Sequence, residues 1–259
     1  MLASKVHCSR RTKYVALQKI LGSHSSVVIL IEFLAAQRVS AEQCGIKPRD
    51  RSGQIKAIVI ACMCTSWVFY LTRMATRTIF NIGVLGLDDL FLTIAMATTV
   101  VGLISSLKMA NAGLGKDIWV IDLDKFDEML LWYFIGEISY VWLTSCLKLS
   151  LLFFFLRIFN STDIKKWIYA AIVFQALFIL TFTIVIIFQC TPISYAWLFW
   201  DGQHSGTCVN INTASWSIAA ITIALDIIVL TLPIRELWRL KMNRMKKIYV
   251  LLMFGLGFL

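Results

Sequence analysis

Lys148 and Asp226 are the residues whose chemistry least suits their surroundings. Each stands inside a long apolar run, Lys148 within Leu130–Leu156 and Asp226 within roughly Ile211–Ile234. A charge alone at the centre of a bilayer costs roughly 2.5 to 3.5 kcal/mol on insertion scales, so such residues face a partner, a cavity or water. Lys148 precedes the basic residue Arg157 by nine positions, and Asp226 precedes Arg235 by nine. Two segments running in the same direction would therefore hold these charges at one depth, where they can pair. Such a pair is either a latch or part of a polar pocket, or a static strut that fixes helix register. Glu137 is the third charge of this kind. It lies eleven residues before Lys148, which at 100° per residue puts both within about 20° of one helix face. No opposite charge matches its depth, so it either lines a cavity open to the exterior or reaches headgroup water.

The elements that position these charges follow from composition. Of 259 residues, 59% are hydrophobic and 15% charged, with a mean hydropathy of +0.76. A soluble domain would carry nearer a quarter charged residues. Ile168–Phe188 holds 21 consecutive uncharged residues, and about 20 suffice to cross roughly 30 Å of hydrocarbon. Further spans are read at Ile55–Thr72, Leu90–Leu107, Leu130–Leu156 and Ile211–Ile234, the last closed by Pro233. A sixth apolar run opens at Ile248 and stops at Leu259, too short to span alone, so the sequence reads as cut within a helix. The expected fold class is an all-α, polytopic transmembrane helix bundle with five full spans and a partial sixth.

Loop charges set the orientation. The connections after spans one, three and five carry eleven basic residues, among them Arg73, Arg77, Arg157, Lys165 and Lys166. The other two hold Lys108, Lys116 and Lys125. Basic loops stay in the cytoplasm, so the amino end is expected outside the cell. The connection after span five, with Arg235, Arg239, Lys241, Arg244, Lys246 and Lys247, is then the surface that would meet a cytosolic partner. The net charge of +10 flanks apolar segments rather than forming a patch interleaved with aromatics, so lipid headgroups, not nucleic acid, are its expected partner.

Chemistry of other kinds finds little footing. His7, His24 and His204 are scattered, and no HExxH, GxSxG or Walker loop occurs, so neither enzyme activity nor a metal is expected. Cys62, Cys64 and Cys146 lie inside apolar segments and read as packing residues. Cys190 and Cys208 bound a connection without a basic residue; placed outside, they are expected to form a disulfide. Asp88 and Asp89 read as favourable charge at the start of a helix. The charges from Lys108 to Glu128 read as a solvated external loop, and residues 1–31, basic and without an acid, as a disordered tail or an imperfect gene start.

Several motifs, in order and at proper spacing over residues 44–259, resemble the fungal rhodopsin-domain family of integral membrane proteins. They are CGIKPRDR (44–51), GLDD (86–89), GLGKDIW (113–119), E-x-x-Y (137–140), KLSLLFFFLRIF (148–159), FQCTPISYAW (188–197), GTCVN (206–210) and the D-x-x-x-L-x-L-P-I-x-x-L-W-x-L pattern from Asp226 to Leu240. The resemblance implies a heptahelical, orphan receptor-like protein with its amino end outside, a seventh helix and a cytoplasmic tail. It makes Glu137 and Tyr140 candidates for an external ligand cavity. Residues 1–52 are then an extracellular tail, in which 31–44 resembles the end of a CFEM domain without its other cysteines, and 53–259 the transmembrane domain. Asp117 stands where the family typically has histidine, and Thr222 where it often has asparagine. Microbial rhodopsins bind retinal through a lysine on the last helix; none is present here and Lys148 is on helix three, so no cofactor is expected. The leading functional reading is receptor-like sensing in the plasma membrane, of an unknown ligand, with a cytosolic signalling partner. The alternative is a transporter or channel using Glu137, Lys148 and Asp226.

Overall fold

A computed structural model describes residues 36–41, 43–45, 47–79, 85–121, 123–159, 162–201 and 204–239. Among these, five helices are long and apolar enough to cross a membrane. They are α1 (Ser52–Thr78), α2 (Leu87–Ala112), α3 (Phe126–Ile158), α4 (Thr162–Ile187) and α5 (Ile211–Arg239). The all-α bundle expected from composition is therefore present. The run from Ile248 and residues 1–31 lie outside the described residues.

The helices extend beyond the apolar windows that announce them. Apolar length marks the hydrocarbon, whereas the backbone ladder carries on into the headgroup layer, where polar side chains are welcome. α5 also continues through Pro233 to Arg239, against the expectation that this proline would end it. A proline withdraws one donor from the ladder, and membrane helices accommodate that loss by local adjustment. Hydroxyl groups on these helices serve themselves. Thr65, Ser66, Thr72, Ser105 and Ser106 each donate to the carbonyl four residues back, at 2.7–2.9 Å, and so add little polarity to the faces they sit on.

The chain divides into two compact units. One comprises the residues up to Ser66, Val101–Glu137 and Cys190–Cys208. In it, strands β1 (Cys190–Thr191) and β2 (Thr207–Cys208) pair antiparallel, with Cys190 opposite Cys208 and a disulfide between them. This ribbon, the one sheet among the described residues, departs from the purely helical expectation. The staple brings two short extended segments into register that would not pair by themselves. Between the strands, Tyr195–Leu198 makes a helical turn whose Tyr195 ring lies flush on Gly206; a Cβ there would meet the ring at 2.5 Å. Trp200 packs edge-on to Phe126 at 5.1 Å and donates through Nε1 to Asp127 at 2.5 Å.

The acidic connection between α2 and α3 is more ordered than its composition suggests. It folds into two short 3-10 turns, Ile118–Val120 and Leu123–Lys125. The segment leading into α1 runs beside it, with the Arg51 amide donating to the Gly115 carbonyl at 2.9 Å and the Arg49 amide to Asp117 Oδ2 at 2.8 Å. Gly115 has φ +92°, and a Cβ there would meet the Ile55 side chain at 2.7 Å. Only glycine fits both demands. A backbone partner, rather than water alone, answers the Asp117 carboxylate, which charge counting has no means to foresee.

The second unit comprises Trp67–Val100, Ile138–Gln189 and the residues from Val209 onward. Its core joins Leu152 and Phe155 of α3 to Ile164, Ile168 and Ala171 of α4 and to Val229 of α5. Large apolar side chains also face outward: Val68, Phe69, Trp167, Leu180 and Ile223 are all exposed. α1 buries no residue at all among those described. Apolar surface on this scale is untenable in water and normal in lipid.

Candidate functional site

Among the described residues the most deeply buried charges lie where sequence reading places only helix-end favour. Asp88 and Asp89, in the first turn of α2, are each 2% exposed. Arg73 and Arg77, one turn apart on α1, reach across to them. Arg73 Nη2 is 2.9 Å from Asp88 Oδ2 and its Nε 3.3 Å from Asp89 Oδ1. Arg77 Nη2 is 3.0 Å from Asp88 Oδ2, and its Nη1 bonds Asp89 Oδ2. Each guanidinium thus bridges both carboxylates, a fork geometry that only arginine provides. Arg157, in the last turn of α3, approaches Asp88 Oδ1 at 4.0 Å. Ser150 Oγ donates to the Asp88 carbonyl at 2.7 Å, fastening α3 to the start of α2. Gly86 leaves room for this arrangement, since a Cβ there would collide with the Asp88 carboxylate.

The Lys148–Asp226 pair is simpler. Nζ lies 2.8 Å from Asp226 Oδ1 and 3.4 Å from the Thr222 carbonyl. The side chains are 11% and 32% exposed. Lysine is thus the more enclosed partner, and the carboxylate keeps an open flank. Lys148 and Asp226 each precede a basic residue, Arg157 and Arg235, by nine positions, and Leu152 and Val229, about one turn further on, belong to one core cluster. Close by in sequence on α3, Ser145 is buried, and on α4 Gln175 is 1% exposed. Among the described residues neither the Ser145 hydroxyl nor either amide atom of Gln175 has a hydrogen-bond partner.

The remaining candidates are placed as follows. Glu137 is half-buried on α3, while Tyr140 is 59% exposed. Cys190 and Cys208 are joined, and Cys44 is also disulfide-bonded; Cys62, Cys64 and Cys146 are free. Arg235 and Arg239 fall in the last turns of α5, and their side chains, with Lys241, Arg244, Lys246 and Lys247, lie outside the described residues. No group of three metal-ligating side chains occurs among the described residues. Outside the spans, the Ser52 hydroxyl and amide both donate to Asp50, at 2.6 and 2.9 Å, and hold its carboxyl below the usual range.

Sequence reasoning missed the arginine–aspartate cluster and Gln175. A signal for the cluster is visible in retrospect. Arg73 and Arg77 share one face of α1 at four-residue spacing, and two adjacent acids open the next helix after one short connection.

The model of the fungal rhodopsin domain matches residues 72–259, a stretch that includes the cluster and the Lys148–Asp226 pair. The chain belongs to that family. It is a multi-pass membrane protein of the rhodopsin-domain type and sits in a lipid bilayer. This rhodopsin-domain chain is 35% identical over 125 residues to an Emericella nidulans protein described as a SAT4 family membrane protein, covering 47% of the chain and 32% of that protein. It is 24% identical over 220 residues to Fugralins biosynthesis cluster protein 2 of Gibberella zeae, covering 82% of the chain and 54% of that protein. The chain thus spans about a third to a half of the length of these relatives. No solved structure matches it.

Proposed function

We propose that this protein is a receptor-like sensor of the plasma membrane, with its amino end outside the cell. An external small molecule shifts the packing of α3 against α5, and the basic connection after α5 passes that shift to a cytosolic partner. The Lys148–Asp226 pair carries the reading. An ion pair between two spans, with one partner enclosed and the other open on a flank, can exist closed or parted and hydrated. A ligand biases such an equilibrium by preferring one arrangement. The eleven-to-three distribution of basic residues supports the orientation. The Gibberella zeae relative is named for fugralins biosynthesis, which makes fugralins the first molecules to try.

The test uses the protein in its native membrane. Proximity labelling fused near residue 247 is compared between wild type and Lys148→Met, which parts the pair without a ligand. A receptor-like protein yields cytosolic neighbours that change between the two. Identical neighbours in both, together with solute or ion flux in liposomes lost on Glu137→Gln, would instead establish the transport alternative. A glycan acceptor placed between Arg157 and Trp167 should stay unmodified; modification would reverse the orientation.

A further inference from the structure

Ser145 of α3 and Gln175 of α4 are the anomaly of the second unit. Each is 1% exposed, and among the described residues neither the Ser145 hydroxyl nor either atom of the Gln175 amide has a hydrogen-bond partner. A helical hydroxyl usually settles on the carbonyl one turn back, as Thr144 does on Tyr140 at 2.9 Å and Thr183 on Ile179 at 2.6 Å. Ser145 leaves that bond unmade. A buried polar group without a partner lowers stability, so two of them on neighbouring helices call for a reason.

Register supplies it. Near the connection between α3 and α4, Leu152 and Phe155 share a core with Ile164, Ile168 and Ala171. Further along, the Trp142 indole donates to Thr183 at 3.1 Å. Gln175 lies between Ala171 and Thr183, on the buried face of α4. Ser145 and Lys148 lie between Trp142 and Leu152, on the buried face of α3. The two intervals fall at one depth. α5 joins them there, because Asp226 holds Lys148 and Val229 belongs to the shared core.

The pair cannot open unless each partner is provided for. Asp226 has an open flank, but the Lys148 side chain is only 11% exposed. An ammonium released into apolar surroundings is costly. Lysine therefore needs another acceptor within the bundle. The Gln175 carbonyl oxygen and the Ser145 hydroxyl oxygen are both acceptors. Ser145 stands three residues before Lys148, the adjacent turn of one helix face. The flexible four-carbon stem lets the ammonium move while the backbone stays in place.

We propose that Gln175 and Ser145 form a second seat for the Lys148 ammonium, occupied when the Lys148–Asp226 pair opens. In the closed arrangement the seat is empty and lowers stability. In the open one it keeps the lysine hydrogen-bonded while Asp226 is released toward its open flank. The seat rests on the reading of this pair as a contact that opens, and adds what makes opening feasible. It requires no particular ligand.

Thermal unfolding of the full chain in nanodiscs tests this. In the wild-type background Gln175→Leu should raise Tm by about 2 to 4 °C. In Asp226→Leu, where the lysine has moved to the second seat, the same substitution should lower Tm by about as much. In Lys148→Met it should raise Tm again. A rise of one size in all three backgrounds would overturn the seat. Membrane yield gives a second readout that does not depend on purifying Asp226→Leu. Adding Gln175→Glu to Asp226→Leu offers the lysine a carboxylate at the new position and should recover most of the lost yield. A yield below that of Asp226→Leu alone would mean that the ammonium does not reach position 175, and would equally overturn the seat. The receptor-like reading fails separately, on the labelling experiment, without moving these melting temperatures.

Discussion

Among the described residues two sets of charge hold the membrane spans together, and they differ in how far they are enclosed. At the ends of α1 and α2, two carboxylates are 2% exposed and bridged twice over by arginine forks. Between α3 and α5, one lysine meets one carboxylate whose side chain remains 32% exposed. The first set is redundant and enclosed. The second is a single contact with an open flank. Redundancy suits a fastening, whereas a single contact with one open flank suits something that opens. Depth within a membrane is thus a poor guide to burial, since the charges nearer the helix ends are the better hidden.

The largest expected effect comes from breaking the enclosed set. Arg77→Met leaves two buried acids with one remaining fork and should cost about 3 to 5 kcal/mol, the usual cost of stranding a buried charge. Membrane yield and cooperative melting in detergent should both fall sharply; near-normal melting would show that Arg73 alone suffices. The open pair should respond less, and unequally. Asp226→Leu strands the enclosed lysine and should cost about 2 kcal/mol. Lys148→Met leaves the less enclosed partner behind and should cost about 1 kcal/mol. Equal losses would mean that the unequal exposure has no energetic meaning. The charge swap of Lys148→Asp with Asp226→Lys should recover membrane expression lost in either single variant, and failure to recover would argue against direct contact.

Gln175→Leu sharpens the comparison from the opposite side. A buried amide without protein partners is a cost that an isosteric apolar side chain removes, so Tm should rise by the equivalent of about 1 kcal/mol. A fall would mean that Gln175 is bonded through water. The smallest effect concerns Asp50, fully exposed outside the spans. Its carboxyl is held low by Ser52, so the turn that starts α1 is intact above the ordinary carboxylate pKa. It is lost only as pH drops through the lowered value, beneath the ordinary carboxylate range. The protection of the Ser52 amide against hydrogen exchange, relative to its intrinsic rate at each pH, should fall there and stay constant between pH 5 and 8.

What the sequence could reveal depended on whether the information was local. The five spans were legible because hydrocarbon thickness demands a length and a composition that nothing else does. Their ends were not, because helix and apolar window stop for different reasons, as the extension of α1 to Ser52 and Thr78 illustrates. The meeting of Lys148 and Asp226 could be anticipated from depth, since both segments end in a basic residue that marks the same level. The role of Asp88 could not. Its position at a helix start already had an adequate local explanation, and only the approach of Arg73 and Arg77 from another helix shows that burial dominates. Gln175 was hidden for a plainer reason: among the apolar residues of α4 one amide raises no alarm, and its partnerless state depends on what the neighbouring helices present.

One consequence follows from α1, which buries none of its described residues. Side-chain bonds at Tyr70, Arg73 and Arg77 hold it to α2, and a Lys56–Asn111 bond at 2.6 Å links it again near its other end. Apolar contact adds little. A helix secured by discrete rivets rather than by a broad adhesive surface yields suddenly under tension. Pulled by its amino end, this protein should surrender α1 as a separate first event, at a force set by a handful of polar bonds.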